Sequence, residues 1–280
     1  MRGIRRPIRT IGSLAAGAII LWLLLVPCYA GQVLELSYGT SPSQTLSACL
    51  PSDGLKARPG VLMIHGGGWT GGDKAPMGNL CGFFARNGIV AVSINYRLAN
   101  IADPSTRWPA QLDDAEAAFQ WMVDHSGELG LDPGRISVYG LSAGGHIAVW
   151  MAIKDKRVVS VIDGFGPVDL FKAQRDKRYQ RSLTALIGDP QDAAAARALS
   201  PVYSVHSDMP PVLIIQGEWD KLVLPEQSQA LYEALKSKNV SANMVMYQGD
   251  HSWKGLSPQE RNSINMQAVS FIKSAPRRGN

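Results

Sequence analysis

The sequence is short of cysteine, of charge and of long apolar runs. There are 3 cysteines in 280 residues. That is too few for a disulfide-built scaffold, and a chain of this length buries a core large enough to need none. Charged residues make up 18% and hydrophobic ones 45%, the balance of a globular protein and not of a disordered one. No two histidines stand at H-x-x-x-H spacing and the cysteines fit no ligand spacing, so no metal site is expected, nor any cofactor. Neither an internal repeat nor a linker divides the chain, which predicts one domain over residues 31–280. A basic patch is also missing. Of 28 Lys and Arg, four (Arg2, Arg5, Arg6 and Arg9) sit at the start, which leaves 24 against 23 Asp and Glu. A near-neutral body without a basic face argues against a nucleic-acid partner.

Acidic residues are absent from the first 30 positions. The Arg-bearing start, the apolar run 11–26 and then Pro27-Cys28-Tyr29-Ala30 predict a signal peptide at residues 1–30, cleaved after Ala30. The mature chain is then exported to the periplasm or beyond, with no stable membrane association. The apolar run is about 16 residues, short of the ~20 that a spanning helix prefers. The alternative is an uncleaved inner-membrane anchor at 11–26. Cys28 raises a lipoprotein reading, disfavoured by Pro27, and Arg5-Arg6 is a lone arginine pair. Export would permit a disulfide between Cys49 and Cys81. Cys49 falls in a strand-like run and Cys81 in a helix-like run, so two separate buried thiols are expected.

From residue 31 short apolar runs alternate with amphipathic ones. Residues 33–37 and 45–50 read as a hairpin around a turn at 40–43. The runs 61–65, 89–95, 136–141, 158–165, 211–217 and 243–247 read as strands, most of them buried on both faces. Helical spacing marks 74–87, 108–125, 143–154, 225–238 and 258–274. This alternation predicts an α/β fold: a mostly parallel sheet, helices on both faces and an antiparallel hairpin at one edge. The pattern weakens over 168–207, which reads as a small helical excursion. Asp113 and Asp114 read as a solvated or capping helix face.

Four short stretches carry chemistry. Gly140-Leu141-Ser142-Ala143-Gly144 lies between a buried strand and a helix, the setting of a G-x-S-x-G turn that presents its serine at a sharp bend. It makes Ser142 the candidate nucleophile. His65-Gly66-Gly67-Gly68-Trp69 follows the first buried strand, and its glycines let backbone N–H groups approach an oxyanion. The expected donors are Gly67 and Gly68 together with Ala143. His65 reads as a residue that pins this loop, and Trp69 as either a wall of the substrate pocket or a core filler. A serine needs a base and a group to orient it. Asp220, in Gly217-Glu218-Trp219-Asp220 after a buried strand, is the expected acid, with Glu218 second. His251, in Gly249-Asp250-His251-Ser252, follows the last strand and is the only histidine after Asp220. The order Ser, Asp, His matches the order this kind of site uses. His146 reads as a packing or hydrogen-bonding residue.

These motifs, with Gly71-Gly72-Asp73-Lys74, Asn95-Tyr96-Arg97-Leu98, Asp132-Pro133-Gly134-Arg135-Ile136 and Gly166-Pro167-Val168-Asp169-Leu170, resemble the α/β-hydrolases related to hormone-sensitive lipase. The resemblance is closer to the bifunctional feruloyl/acetylxylan esterase-like branch, itself similar to kynurenine formamidases, and covers about residues 37–273. It implies an α/β-hydrolase fold and a triad of Ser142, His251 and Asp220. Joined to the export read from residues 1–30, it also implies a serine carboxylesterase for short acyl esters, with acetyl on a sugar as an extension by family analogy. The partner is then a small-molecule or carbohydrate ester. The same triad would serve an amidase or formamidase, or a lipase-like enzyme for longer chains. Ser47-Ala48-Cys49-Leu50-Pro51 departs from the family, where an Asp is common, which bears on edge-strand contacts and not on the chemistry.

Overall fold

The computed structural model describes residues 33–278. The expected signal segment lies outside them. The opening hairpin forms as read, β1 (Val33–Ser37) against β2 (Thr45–Cys49). Then follow β3 (Arg58–Ile64), α1 (Gly78–Arg86), β4 (Val90–Ile94), α2 (Ala110–Asp124), α3 (Ser126–Leu129), β5 (Leu131–Leu141) and α4 (Ala143–Lys154). The second half holds β6 (Val161–Gly164), α5 (Leu170–Ala173), α6 (Lys177–Ile187), α7 (Ala193–Ala198), β7 (Val212–Gly217), α8 (Pro225–Ser237), β8 (Ala242–Tyr247) and α9 (Pro258–Ser274).

The eight strands form one sheet in the order β1-β2-β4-β3-β5-β6-β7-β8. Only β1, β2 and the β2–β4 pairing are antiparallel; β4 through β8 run parallel. Parallel strands are covered on both faces, which is why β4 (Val-Ala-Val-Ser-Ile) is buried at every position. Two cores follow. The larger lies under α2, α4 and α8, the smaller under α1 and α9. Helix starts are set by local chemistry. Asp176 and Asp192 cap α6 and α7, Pro225 opens α8, and Ser257 with Glu260 forms a capping box on α9.

Residues 168–207 form the expected excursion, helices α5, α6 and α7 between β6 and β7. Several expectations are corrected. The helix expected over 74–87 is a 3₁₀ turn at Ala75–Met77 followed by α1, because Pro76 supplies no N–H and suits only a first turn. β5 starts earlier than position 136, since Leu131 pairs with Arg58 across a register shift. Asp114 is not solvated. It is fully buried and accepts from the Nε and Nη2 groups of the Arg97 guanidinium, the Arg97 backbone N–H and the Gln44 amide. Cys49 and Cys81 are not two thiols. They form a disulfide, with Cα atoms 5.8 Å apart, because α1 lies across the buried face of β2.

Candidate active site

The site sits at the C-terminal ends of the parallel strands, where β3, β5, β6, β7 and β8 each release a loop. Ser142 stands at the junction of β5 and α4 with φ 53° and ψ −119°. A side chain other than glycine meets steric strain at positive φ, and such strain collects at functional positions. The neighbouring glycines permit the bend. A Cβ on Gly140 would lie 2.0 Å from the Gly144 carbonyl oxygen, and one on Gly144 would lie 2.1 Å from that of Ile64. The strand-to-helix turn is thus too tight for any side chain at either position. The Ser142 N–H donates to Gly164 O at 2.8 Å, which ties the bend to β6.

Ala143 is the first residue of α4, so its N–H has no partner one turn back and lies at the positive end of the helix. The N–H groups of Gly67 and Gly68 form no hydrogen bond within the protein among the described residues. The Gly67 carbonyl instead accepts from Thr70 and Gly71, which curls the loop. His65 holds this loop as expected of it. Its ring stacks on Tyr96 and its Nδ1–H reaches Gly66 O at 2.6 Å, while burial holds the imidazole below its ordinary pKa.

Asp220 is buried and fully engaged. Oδ1 accepts from the Leu222 and Val223 N–H groups at 2.8 and 2.9 Å, and Oδ2 accepts from His251 Nδ1 at 2.6 Å. Burial works against the carboxylate, but the His251 and backbone hydrogen bonds prevail and hold its pKa below the ordinary value. Glu218 is exposed and outside this network. The loops of Asp220 and His251 are joined by backbone bonds from Glu218 N to Tyr247 O and from Trp219 N to Gly249 O.

Ser142 and His251 open on one cavity of about 730 Å³, which Gly66, Gly67 and Gly68 also line. Trp69 does not line it. The indole is buried, and its N–H donates to His146 Nδ1 at 3.3 Å. His146 passes its own Nε2–H to Leu199 O at 2.8 Å. Burial pushes the His146 pKa down to about 4, so the ring is the neutral link between the glycine loop, α4 and the excursion.

Sequence reasoning missed the support of His251. Phe165, left-handed at φ 46°, sets its ring 4.7 Å from the imidazole, edge to face. Trp253 packs on Phe165 and stacks on Tyr247, whose hydroxyl donates to Asp250 O at 2.9 Å. Beneath lies Asp163, fully buried, with Oδ1 accepting the Gly166 N–H at 3.0 Å. Burial raises its pKa to about 7. The one hint in the sequence is Gly164-Phe165-Gly166-Pro167, a turn directly after a buried strand.

The BD-FAE family model matches residues 46–235. The chain belongs to the BD-FAE family. That BD-FAE span runs from β2 into α8 and so includes Ser142 and Asp220, while His251 lies beyond it. Among curated proteins, the probable carboxylic ester hydrolase LipM of Mycobacterium tuberculosis is 30% identical over 68% of this chain and 47% of its own. The chain spans about half the length of the curated relatives it matches. Among solved structures, the esterase of Pyrobaculum calidifontis superposes with a TM-score of 0.72 at 27% identity, over 87% of this chain and 85% of that one. A truncated carbohydrate esterase from gut microbiota reaches 0.76 at 22% identity over 88% and 96%, a likeness of fold. These neighbours and the sheet described above make the BD-FAE chain an α/β-hydrolase fold.

Proposed function

We propose that this chain is an exported serine carboxylesterase acting on short acyl esters, acetyl esters of carbohydrates among them. The observation that carries the reading is the strained Ser142 opening on the same cavity as His251, with the far nitrogen of His251 bound to buried Asp220. Ser142 attacks the ester carbonyl while His251 takes its proton, and Asp220 fixes the tautomer and stabilises the imidazolium. The N–H groups of Gly67, Gly68 and Ala143 receive the oxyanion. His251 returns the proton to the leaving alcohol, and water then releases the acyl group. The esterase names of the relatives support the ester bond as target, and the carbohydrate esterase title supports the sugar.

Hydrolysis of p-nitrophenyl acetate, with labelling by a fluorophosphonate, tests this. Ser142→Ala should lose both, with turnover down by about 10⁴ to 10⁶. Labelling that persists in the variant would overturn the assignment. Export rests on the sequence of residues 1–30. Mass spectrometry of the periplasmic protein should find Gly31 as its first residue, and an intact segment in the membrane fraction would favour the anchor.

A further inference from the structure

The cavity at Ser142 continues outward between two helices. α1 and α9 both lead away from the C-terminal ends of their strands on one face of the sheet, where Met77, Cys81, Ile264 and Ala268 share a core. Their adjoining sides line the cavity: Leu80, Phe83 and Arg86 on α1, Arg261 and Asn265 on α9. The spacings are three and four residues, so each set lies along one side of its helix. From Leu80 to Arg86 the track covers about 9 Å of helix axis. An apolar path thus leads from the serine to a guanidinium.

The charge along this path is uneven. Asp73 is the only carboxylate among the lining residues, and it already accepts from the Ala75 N–H at 2.7 Å and the Asn95 amide at 2.9 Å. Glu260, next to Arg261, is engaged by the Ser257 N–H and hydroxyl at 2.8 and 2.7 Å. Among the described residues, neither Arg86 nor Arg261 has a carboxylate at ion-pair distance. Among the described residues, the Arg261 guanidinium donates one hydrogen bond, to the Trp253 carbonyl at 3.4 Å. Arg86 folds back over Gly82, where a Cβ would stand 3.2 Å from its Nη1. Two guanidiniums without acidic partners border a groove that is otherwise mostly apolar.

Chemistry says which part of an ester enters this groove. His251 must deliver its proton to the leaving oxygen, so the leaving alcohol lies on the imidazole side of Ser142. The groove passes His251, Trp253 and Arg261 on that side. On the other side the glycine loop meets α6, with Ser182 Oγ 3.2 Å from the place of a Cβ on Gly68. The lined cavity therefore extends on the alcohol's side of Ser142, towards α1 and α9.

We propose that the preferred substrates are short-acyl esters of aromatic or apolar alcohols that carry a carboxylate, received by Arg261 and Arg86 along the α1–α9 groove. The proposal rests on the ester-hydrolase reading above. Its test compares acetate release from 4-acetoxycinnamate and from its neutral isostere 4-acetoxycinnamamide, each rate divided by spontaneous hydrolysis. The wild type should favour the anion by on the order of tenfold in kcat/KM, and 0.5 M-scale salt should erode that preference. Arg261→Gln and Arg86→Gln should each lower the ratio of the two kcat/KM values roughly three- to fivefold, with the double variant near unity. A wild-type ratio near one, or a ratio unmoved in the double variant, would overturn the proposal. Failure of the wild type to hydrolyse p-nitrophenyl acetate would instead sink the esterase reading itself.

Discussion

Removal of the Cys49–Cys81 disulfide has a calculable effect. The bond ties the antiparallel edge of the sheet to α1 and closes a loop of sequence separation 32. Cross-linking a loop of that size removes entropy from the unfolded chain worth about 3.7 kcal/mol. Both positions are buried, and an alanine or a free thiol there still packs as a small apolar group, so the entropy term dominates. A protein of this size loses about 2 to 4 °C of melting temperature per kcal/mol. The double variant Cys49→Ala/Cys81→Ala should therefore melt roughly 7 to 15 °C below the oxidised wild type. Circular dichroism melts of both proteins, with and without a phosphine reductant, measure this. Reductant should bring the wild type down towards the variant and leave the variant unchanged. The KM for p-nitrophenyl acetate should rise in the variant, because α1 carries Leu80 and Phe83 along the cavity wall. Alkylation of two cysteines in the unfolded, unreduced wild type would refute the bond. A melting difference under about 2 °C would refute the entropy argument.

Three further outcomes are expected. Asp220→Asn should lower kcat by about 10⁴, because His251 would take the wrong tautomer, while Glu218→Gln, at an exposed position, should cost about tenfold or less; a larger loss at Glu218 would reassign the acid. Gly67→Ala should lower kcat by about 10² or more, since a Cβ there would meet the Gly71 carbonyl at 2.1 Å with φ at +123°, and an unchanged kcat would remove that loop from the oxyanion site. The third concerns pH. His146, near 4 in the fold against an ordinary 6.5, binds its proton only in the unfolded chain over that interval, so stability falls as pH drops from 6.5 to 4. Asp163, near 7 against an ordinary 3.8, does the reverse, so its contribution falls as pH rises from 3.8 to 7. The two slopes oppose each other. Asp163→Asn should then melt higher than wild type at pH 8 and lose melting temperature more steeply between pH 6.5 and 5, whereas parallel melting curves would refute the assignment of these charges.

The sequence reveals most of this architecture because its signals are local. Continuous apolar runs at β3, β4, β5 and β7 report strands covered on both faces, and the glycines around Ser142 report a turn with no room for a Cβ. The disulfide was not legible for the opposite reason. Cys49 and Cys81 were placed in the right kinds of element, but nothing local says that α1 crosses β2. Asp114 was misread likewise: its helix position looks like a polar surface until Arg97 and Gln44 arrive from elsewhere in the chain. The brace behind His251 depends on Phe165 and Trp253 from two loops and on Tyr247 at the end of β8, and the guanidiniums of the groove come from two helices far apart in sequence. Local chemistry can be read from spacing, whereas pairings made by the sheet must be seen.

The order of the strands also governs when the chain first acquires its chemistry. Ser142, Asp220 and His251 leave β5, β7 and β8, and the last two come into place only when β6 pairs with β7 and β7 with β8. Parallel pairings join distant parts of the chain and form late, because loop closure must precede the contacts that reward it. On the proposed triad, helix content should therefore recover ahead of turnover during refolding, and the nascent chain should stay chemically silent until its C-terminal edge has closed.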